Sequence, residues 1–292
     1  MSDGHGLNPV VQQRRLRSEL RRARDQAHLT QKEVADALEW STSKIIRIET
    51  GAVGVTVTDL RALLSQYKIN DKDQVDRLLA MSRASKQRAW WDKYKDSLGA
   101  EFVKFLAMES SASIVRQFQF LFIPGLLQTR GYAQATFQPY ETDSEVTRRR
   151  VEIRIERQRV LDNPDGAQFF FVLDEATVRR QIGGPEVMRE QLLHLKELNK
   201  SPNINVQILP FSAGVRPAMQ SSFAILEFPP DDHDYIDYVV QLEQVVRDVL
   251  IENDPELASQ YVEHFMVLES IAHPGDQLDS VIDSLLAELA DR

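Results

Sequence analysis

Through the first ninety or so residues apolar positions recur every three or four places, and the pattern breaks often enough to predict five short helices. Leu16, Leu20, Ala23 and Ala27 share one face of the first helix, with Arg14, Arg15, Arg17, Arg21, Arg22 and Arg24 over the rest. Thr30-Gln-Lys-Glu33 has the form of a capping box and opens a second helix, which turns Val34, Ala35 and Leu38 inward and ends near Leu38. Ser41 caps a third, in which Ile45 and Ile48 point inward while Thr42, Ser43, Lys44 and Arg47 are left outside; Gly51 stops it. A fourth helix is expected after Thr58 on Leu60, Leu63, Leu64 and Tyr67, and a fifth from Asp71 toward Arg88 through Val75, Leu78 and Leu79.

At Ala89-Trp90-Trp91-Asp92 the character changes, which predicts two domains, 1–88 and 89–292. Phe102, Phe105, Leu106 and Glu109 suggest a helix. Strand-like runs follow at Val115 to Ile123, ending on the turn signal Pro124-Gly125, then at Phe169 to Leu173, Ile204 to Leu209, Phe223 to Phe228, Tyr235 to Val240 and Val245 to Ile251. Ile204 to Ile208 alternates, so one face of that strand is wet or pocket-lining; its neighbours are nearly continuous apolar runs and hence more central. Helices are expected from about Glu145 to Leu161, after Pro185 on Met188, Leu192, Leu195 and Leu198, and over the C-terminus. The expected fold is α+β overall: an all-α five-helix N-terminal domain, then a mixed domain with a sheet of about five to six strands and a helical end.

Composition narrows the function classes. The 292 residues contain no cysteine, which removes disulfides, thiolate metal sites and a cysteine nucleophile and suits a reducing cytoplasm. No apolar run approaches the length of a membrane helix, and the first residues lack the apolar stretch of a secretory signal, so a soluble cytoplasmic protein is expected. The net charge of −9 hides an asymmetry: residues 1–95 sum to +6 and the remainder to −15. That split suits a basic module facing a phosphate backbone, fused to an acidic module with another task.

The segment 31–50, QKEVADALEWSTSKIIRIET, fits a helix-turn-helix. Ala35 allows the two helices to approach closely, and Ile45 and Ile48 lock the second so that its opposite face enters a major groove. Lys and Arg donate to guanine or phosphate, and Ser and Thr hydroxyls serve either purpose. Over residues 12–68 the chain resembles the lambda-repressor-like regulators of the xenobiotic-response-element type. That resemblance implies a DNA contact from Gln31 at the start of the second helix, and contacts from Ser41, Thr42, Ser43 and Lys44, with Arg47 one turn on. Arg47 is the favoured base reader; Lys44 reads a base or anchors a phosphate. The resemblance also implies a structural ion pair between Arg24 and Glu49. Glu39 stands where that family usually has a turn glycine. Arg14, Arg15 and Arg17 face either a phosphate strand or solvent, and the run Arg148, Arg149, Arg150, Arg154, Arg157 and Arg159, interleaved with Glu145, Glu152 and Glu156, reads as a solvated or interface helix.

Downstream, Pro124-Gly-Leu-Leu-Gln-Thr129 with Tyr132-Ala133, Asp174-Glu-Ala176, Gly183-Gly-Pro-Glu-Val-Met188 with Gln191-Leu192, and Leu209-Pro-Phe-Ser-Ala-Gly214 resemble the C-terminal domain of WhiJ-like, antitoxin-like actinobacterial regulators. The resemblance implies a domain that senses a small-molecule effector or a small co-encoded partner protein. Taken residue by residue, these blocks read first as turns and caps, with Thr129 capping the helix that carries Tyr132, and the phenylalanines 169–171, 211, 223 and 228 read as core. No phosphate loop, dinucleotide fingerprint, zinc-protease or nucleophile-elbow motif is present, and Asp231-Asp-His233-Asp234 reads as a solvated loop, so no enzyme, cofactor or metal is expected. The expectation is a homodimeric regulator that binds double-stranded DNA at an inverted repeat; the alternative is a module acting mainly by binding a co-encoded protein.

Overall fold

The computed structural model describes residues 9–86, 89–164, 166–228, 238–244, 248–252 and 254–290. The chain divides into two compact units, 1–111 and 112–292. Residues 89–111, read from the sequence as the head of the second domain, thus group with the first unit.

Five helices open the first unit: α1 (Pro9–Gln26), α2 (Gln31–Ala37), α3 (Thr42–Thr50), α4 (Val57–Gln66) and α5 (Lys72–Ala84), followed by a 3-10 segment at Trp90–Ser97 and α6 (Ala100–Glu109). Their inward faces close one core of Leu16, Leu20, Val34, Ala35, Ile45, Ile48, Leu60, Leu63, Leu64, Leu78 and Leu79. Capping follows the sequence at α2, where the Thr30 and Glu33 side chains bond each other's backbone N–H, and at α3, where Ser41 Oγ accepts from Lys44 N. The fourth helix begins one position before Thr58. Thr56 is its cap and accepts from Asp59 N at 3.0 Å, because it stands three residues before that donor.

Three of these helices end alike. After α1, α2 and α4 a non-glycine residue takes a left-handed conformation: His28 (φ 56), Glu39 (φ 55) and Lys68 (φ 60). The next residue donates five positions back, Leu29 N to Arg24 O, Trp40 N to Ala35 O and Ile69 N to Leu64 O. This is the Schellman arrangement, and Leu29, Trp40 and Ile69 complete it by packing on the core. Glu39 therefore keeps the turn geometry that a glycine would favour and bears the steric cost, about 1 kcal/mol or somewhat more.

In the second unit a mixed six-stranded sheet has the order β3-β2-β1-β4-β5-β6, with β1 (Ile114–Gln119), β2 (Gln168–Asp174), β3 (Ile204–Leu209), β4 (Phe223–Glu227), β5 (Tyr238–Leu242) and β6 (Val249–Ile251). β1, β2 and β3 are parallel; β4, β5 and β6 join antiparallel from β1 outward. The alternating strand β3 lies at one edge and β6 at the other, while the apolar runs of β1, β2, β4 and β5 are interior. The first strand stops at Gln119, short of the expected Ile123. The start of the expected 235–240 strand, like residues 245–247 of the last, lies outside the described residues.

The β1-to-β2 crossover holds α7 (Arg130–Phe137) and α8 (Ser144–Arg157); the β2-to-β3 crossover holds α9 (Glu175–Arg179) and α10 (Pro185–Leu198). Both step the same way along the sheet, so right-handed connections put them on one face. The other face packs Phe118, Val172, Phe223, Ile225 and Val240 against Ala258, Phe265 and Leu268 of α11 (Pro255–Ile271). The last helix is α12 (Leu278–Ala290), which packs on α10 and β3. Among the described residues no helix is long and apolar enough to cross a membrane.

Two of the four downstream sequence blocks, 124–133 and 183–192, meet in the structure. Gln191 of α10 accepts from Thr129 N and donates to Leu127 O, both at 2.7 Å, imitating a strand partner for the loop after β1. Ile123 N donates to Tyr132 Oη, Gln128 Nε2 donates to Ile123 O, and Thr129 caps α7 as expected. Phe169, Phe171 and Phe223 are fully buried, whereas Phe211 is 58% exposed on the turn after β3, against the expectation of core.

Candidate nucleic-acid interface

Burial sorts the third helix into two sides. Ile45 and Ile48 are 1% and 3% exposed, and Glu49 beside them is equally buried. Opposite them Ser43, Ile46, Arg47 and Thr50 are exposed and fall three or four residues apart, forming one outward stripe; Ser41 is exposed at the cap and Thr42 is half-buried beside it. Among the described residues nothing bonds the Arg47 side chain, so its guanidinium projects freely from the stripe.

The other expected contacts are held by partners. Lys44 Nζ lies 2.8 Å from Asp59 Oδ1 and 3.5 Å from the centre of the Trp40 ring, so the ammonium sits between a carboxylate on α4 and an aromatic face. Burial alone would raise Asp59, but the bonds from Lys44 and Thr56 outweigh it and hold the carboxyl below its usual range. Gln31 Nε2 donates to Glu49 Oε2 at 2.8 Å, which orients Gln31 at the start of α2.

Glu49 is the hub of this unit. Arg24 Nε and Nη2 grip its two oxygens at 2.7 and 3.2 Å, and Arg24 Nη1 continues to Asp25 and Leu29 O. The bond to Glu49 is the main reason that the Arg24 guanidinium holds its proton more tightly than usual. The pair ties α1 to α3 and leaves neither residue for DNA. Arg17 and Arg21 have a role that neither reading of the arginine row foresaw: they donate to Thr50 O (2.7 Å) and Glu49 O (3.0 Å) and cap the C-terminus of α3 with positive charge. Gly51, at φ 77, makes room, since a side chain there would run into the Arg17 guanidinium. Arg14's side chain and His233 lie outside the described residues.

Ile46 is the residue that sequence reasoning missed. It is 41% exposed in the stripe beside Arg47, where an aliphatic group suits a thymine methyl. Its place between Ile45 and Ile48 disguised it, although helical spacing sets it about 100° from Ile45 and about 160° from Ile48.

Residues 15–78 match the model of a helix-turn-helix domain. Residues 102–284, more than half of the chain, match that of a domain of unknown function, DUF5753. The chain belongs to the DUF5753 family. No curated protein and no solved structure matches it. The protein thus joins a helix-turn-helix domain to a DUF5753 domain, and the former points to a DNA-binding regulator.

Proposed function

We propose that this DUF5753 protein is a cytoplasmic, sequence-specific transcriptional regulator that lays α3 in a major groove. The observation that carries the reading is the free stripe of Ser43, Ile46, Arg47 and Thr50, standing over a buried Ile45–Ile48 seam and made rigid by the Arg24–Glu49 clamp. Arg47 reads a base, Ile46 meets a methyl group, and Ser41, Thr42 and Ser43 contact base edges or phosphates near the start of the helix. Gln31 presents its remaining polar atoms to the backbone. One such module buries too little surface for tight operator binding, so the chain acts as a homodimer on an inverted repeat with half-sites about one turn apart. The second unit senses an effector or a partner protein, with a coupling of roughly 1–3 kcal/mol, and no catalytic step enters the scheme.

Replacing Arg47 by Ala should reduce discrimination between operator and random DNA by about 1–3 kcal/mol, read from binding constants on both at one salt concentration. An unchanged ratio removes Arg47 as the reader. Genome-wide mapping of bound sites supplies the operator, and asymmetric single half-sites would contradict the homodimer. Stoichiometric capture of a small co-encoded protein, together with loss of all operator preference, would favour the antitoxin-like alternative.

A further inference from the structure

The arginine run of α8 does not all face solvent. Arg148 does, paired with Glu145 and Glu152 at 2.7 and 2.6 Å, whereas Arg154 turns back and donates to Gln128 Oε1 at 2.7 Å. The inner side of the helix begins with Thr147 and Val151, 8% and 3% exposed. They border a cavity of about 460 Å³ between α7 and α8, whose facing wall is Arg130, Gln134 and Gln138, four residues apart along α7 and its C-terminal cap. That volume lies within the range of about 300–1,000 Å³ that small-molecule sites occupy.

Thr147 is the residue that points to a ligand. A helical threonine can satisfy its hydroxyl on the carbonyl one turn back, but Asp143 O accepts the Thr147 backbone N–H, at 3.0 Å, and among the described residues nothing bonds Oγ1. Among those residues the one side-chain atom that is both fully buried and without a partner is Asn205 Oδ1. The Thr147 hydroxyl therefore keeps access to solvent, and because the residue is more than nine-tenths buried, that access is the cavity it borders. The Arg130 guanidinium and the Gln134 and Gln138 carboxamides across the cavity are likewise without partners among the described residues. The carboxylate on the rim does not cancel Arg130, since Glu141 accepts from Asp143 N at 3.1 Å and faces Arg150 at 3.7 Å. Arg148, the other cation of the lining, is committed to Glu145 and Glu152.

We propose that this cavity binds a small hydroxylated acid, a molecule with one carboxylate or phosphate and several hydroxyl groups. The acid group pairs with Arg130, the hydroxyls exchange hydrogen bonds with Gln134, Gln138 and Thr147 Oγ1, and a carbon face rests on Val151. Carboxamides and an alcohol both donate and accept, as hydroxyl partners must, while a single free guanidinium suits one negative group. That the acid acts as an effector rests on the regulator reading above; its binding does not, and is tested without DNA.

The test is calorimetric titration of the full-length protein at constant ionic strength with gluconate, glucose 6-phosphate and, as the neutral control, glucose. Saturable binding of at least one acid is expected, and the acid that binds more tightly identifies the charged group. Glucose should bind roughly tenfold more weakly or worse, as should that acid to Arg130→Gln, because each loses a charge-assisted hydrogen bond. Thr147→Val keeps the shape of the side chain and removes only the hydroxyl, so affinity should fall roughly three- to tenfold while the melting temperature stays at or above that of the wild type. No saturation with either acid, wild-type affinity in both variants, or glucose binding as tightly as the acids overturns the site. A lowered melting temperature in Thr147→Val would mean that the hydroxyl serves the fold, and overturns it too. Operator binding measured separately distinguishes the two ideas: its absence beside saturable, Arg130-dependent binding of the acid defeats the regulator and spares the site.

Discussion

Glu49 shows how a single carboxylate specifies the geometry of the reading helix. It is buried, and three donors converge on it from α1 and α2. Truncating one partner of such a pair leaves the other charge uncompensated, so Glu49→Ala should cost about 3 kcal/mol or more of stability, read from urea unfolding. A loss under about 1 kcal/mol would show that Arg24 finds water easily and that the clamp is ornamental. Lys44 poses the opposite question, because its ammonium must leave Asp59 and Trp40 before it meets a phosphate. Asp59→Asn should free it, strengthening binding to all DNA and steepening the salt dependence by about one unit; an unchanged slope would remove Lys44 as an anchor. The pH sense follows from the depressed Asp59 carboxyl: its bridge contributes fully above the unfolded value near 4 and is lost as pH falls through the lower, folded value, so the contact is intact at neutral pH.

At the scale of elements, three helix ends carry a left-handed residue with a side chain where Schellman turns favour glycine. Replacing Glu39 or Lys68 by Gly relieves that strain but loosens the unfolded chain, and the difference should favour the native state by up to about 1 kcal/mol in thermal unfolding. Destabilisation by both would mean that the side chains make native contacts worth more than the strain. Gly51→Ala should go the other way, because φ 77 and the Arg17 guanidinium both oppose a methyl. These turns also mark what could be read from sequence. Thr30, Ser41 and Thr129 identified their helices because a cap and its N–H lie within four residues, and the inward pair Ile45–Ile48 followed from helical period alone. Cap chemistry recurs at Thr56 and Thr58, and only the donor three residues on, Asp59, separates them. Contacts that join distant segments left no local trace: Lys44 to Asp59, Gln31 to Glu49, Arg17 to Thr50, and Arg154 turning under its own helix to Gln128. The pattern 148–159 looked uniformly solvated because charge alternates there, while which arginine turns inward depends on a loop 26 residues earlier.

For the whole molecule the decisive feature is the unequal charge of two units. Residues 1–111 sum to +4 and residues 112–292 to −13, so a polyanion meets attraction from one part of the chain and repulsion from the other. Such fields reach about 30 Å at 0.01 M salt but only about 10 Å at 0.1 M. The first unit has a core of its own. Expressed alone, residues 1–111 should therefore bind random-sequence duplex more tightly than the full chain at low salt, and the advantage should shrink as salt rises. On the operator the order should reverse if, under the homodimer proposed above, the second unit holds the two copies together, because the fragment then gives up the simultaneous grip on two half-sites. Fluorescence anisotropy of both proteins on both duplexes, across roughly a decade of salt chosen to span those screening lengths, measures the crossing. If the fragment and the full chain bind random DNA equally at the lowest salt, the acidic unit exerts no field at the reading face; if the fragment also matches the full chain on the operator, pairing through the second unit is not what gives the operator its affinity.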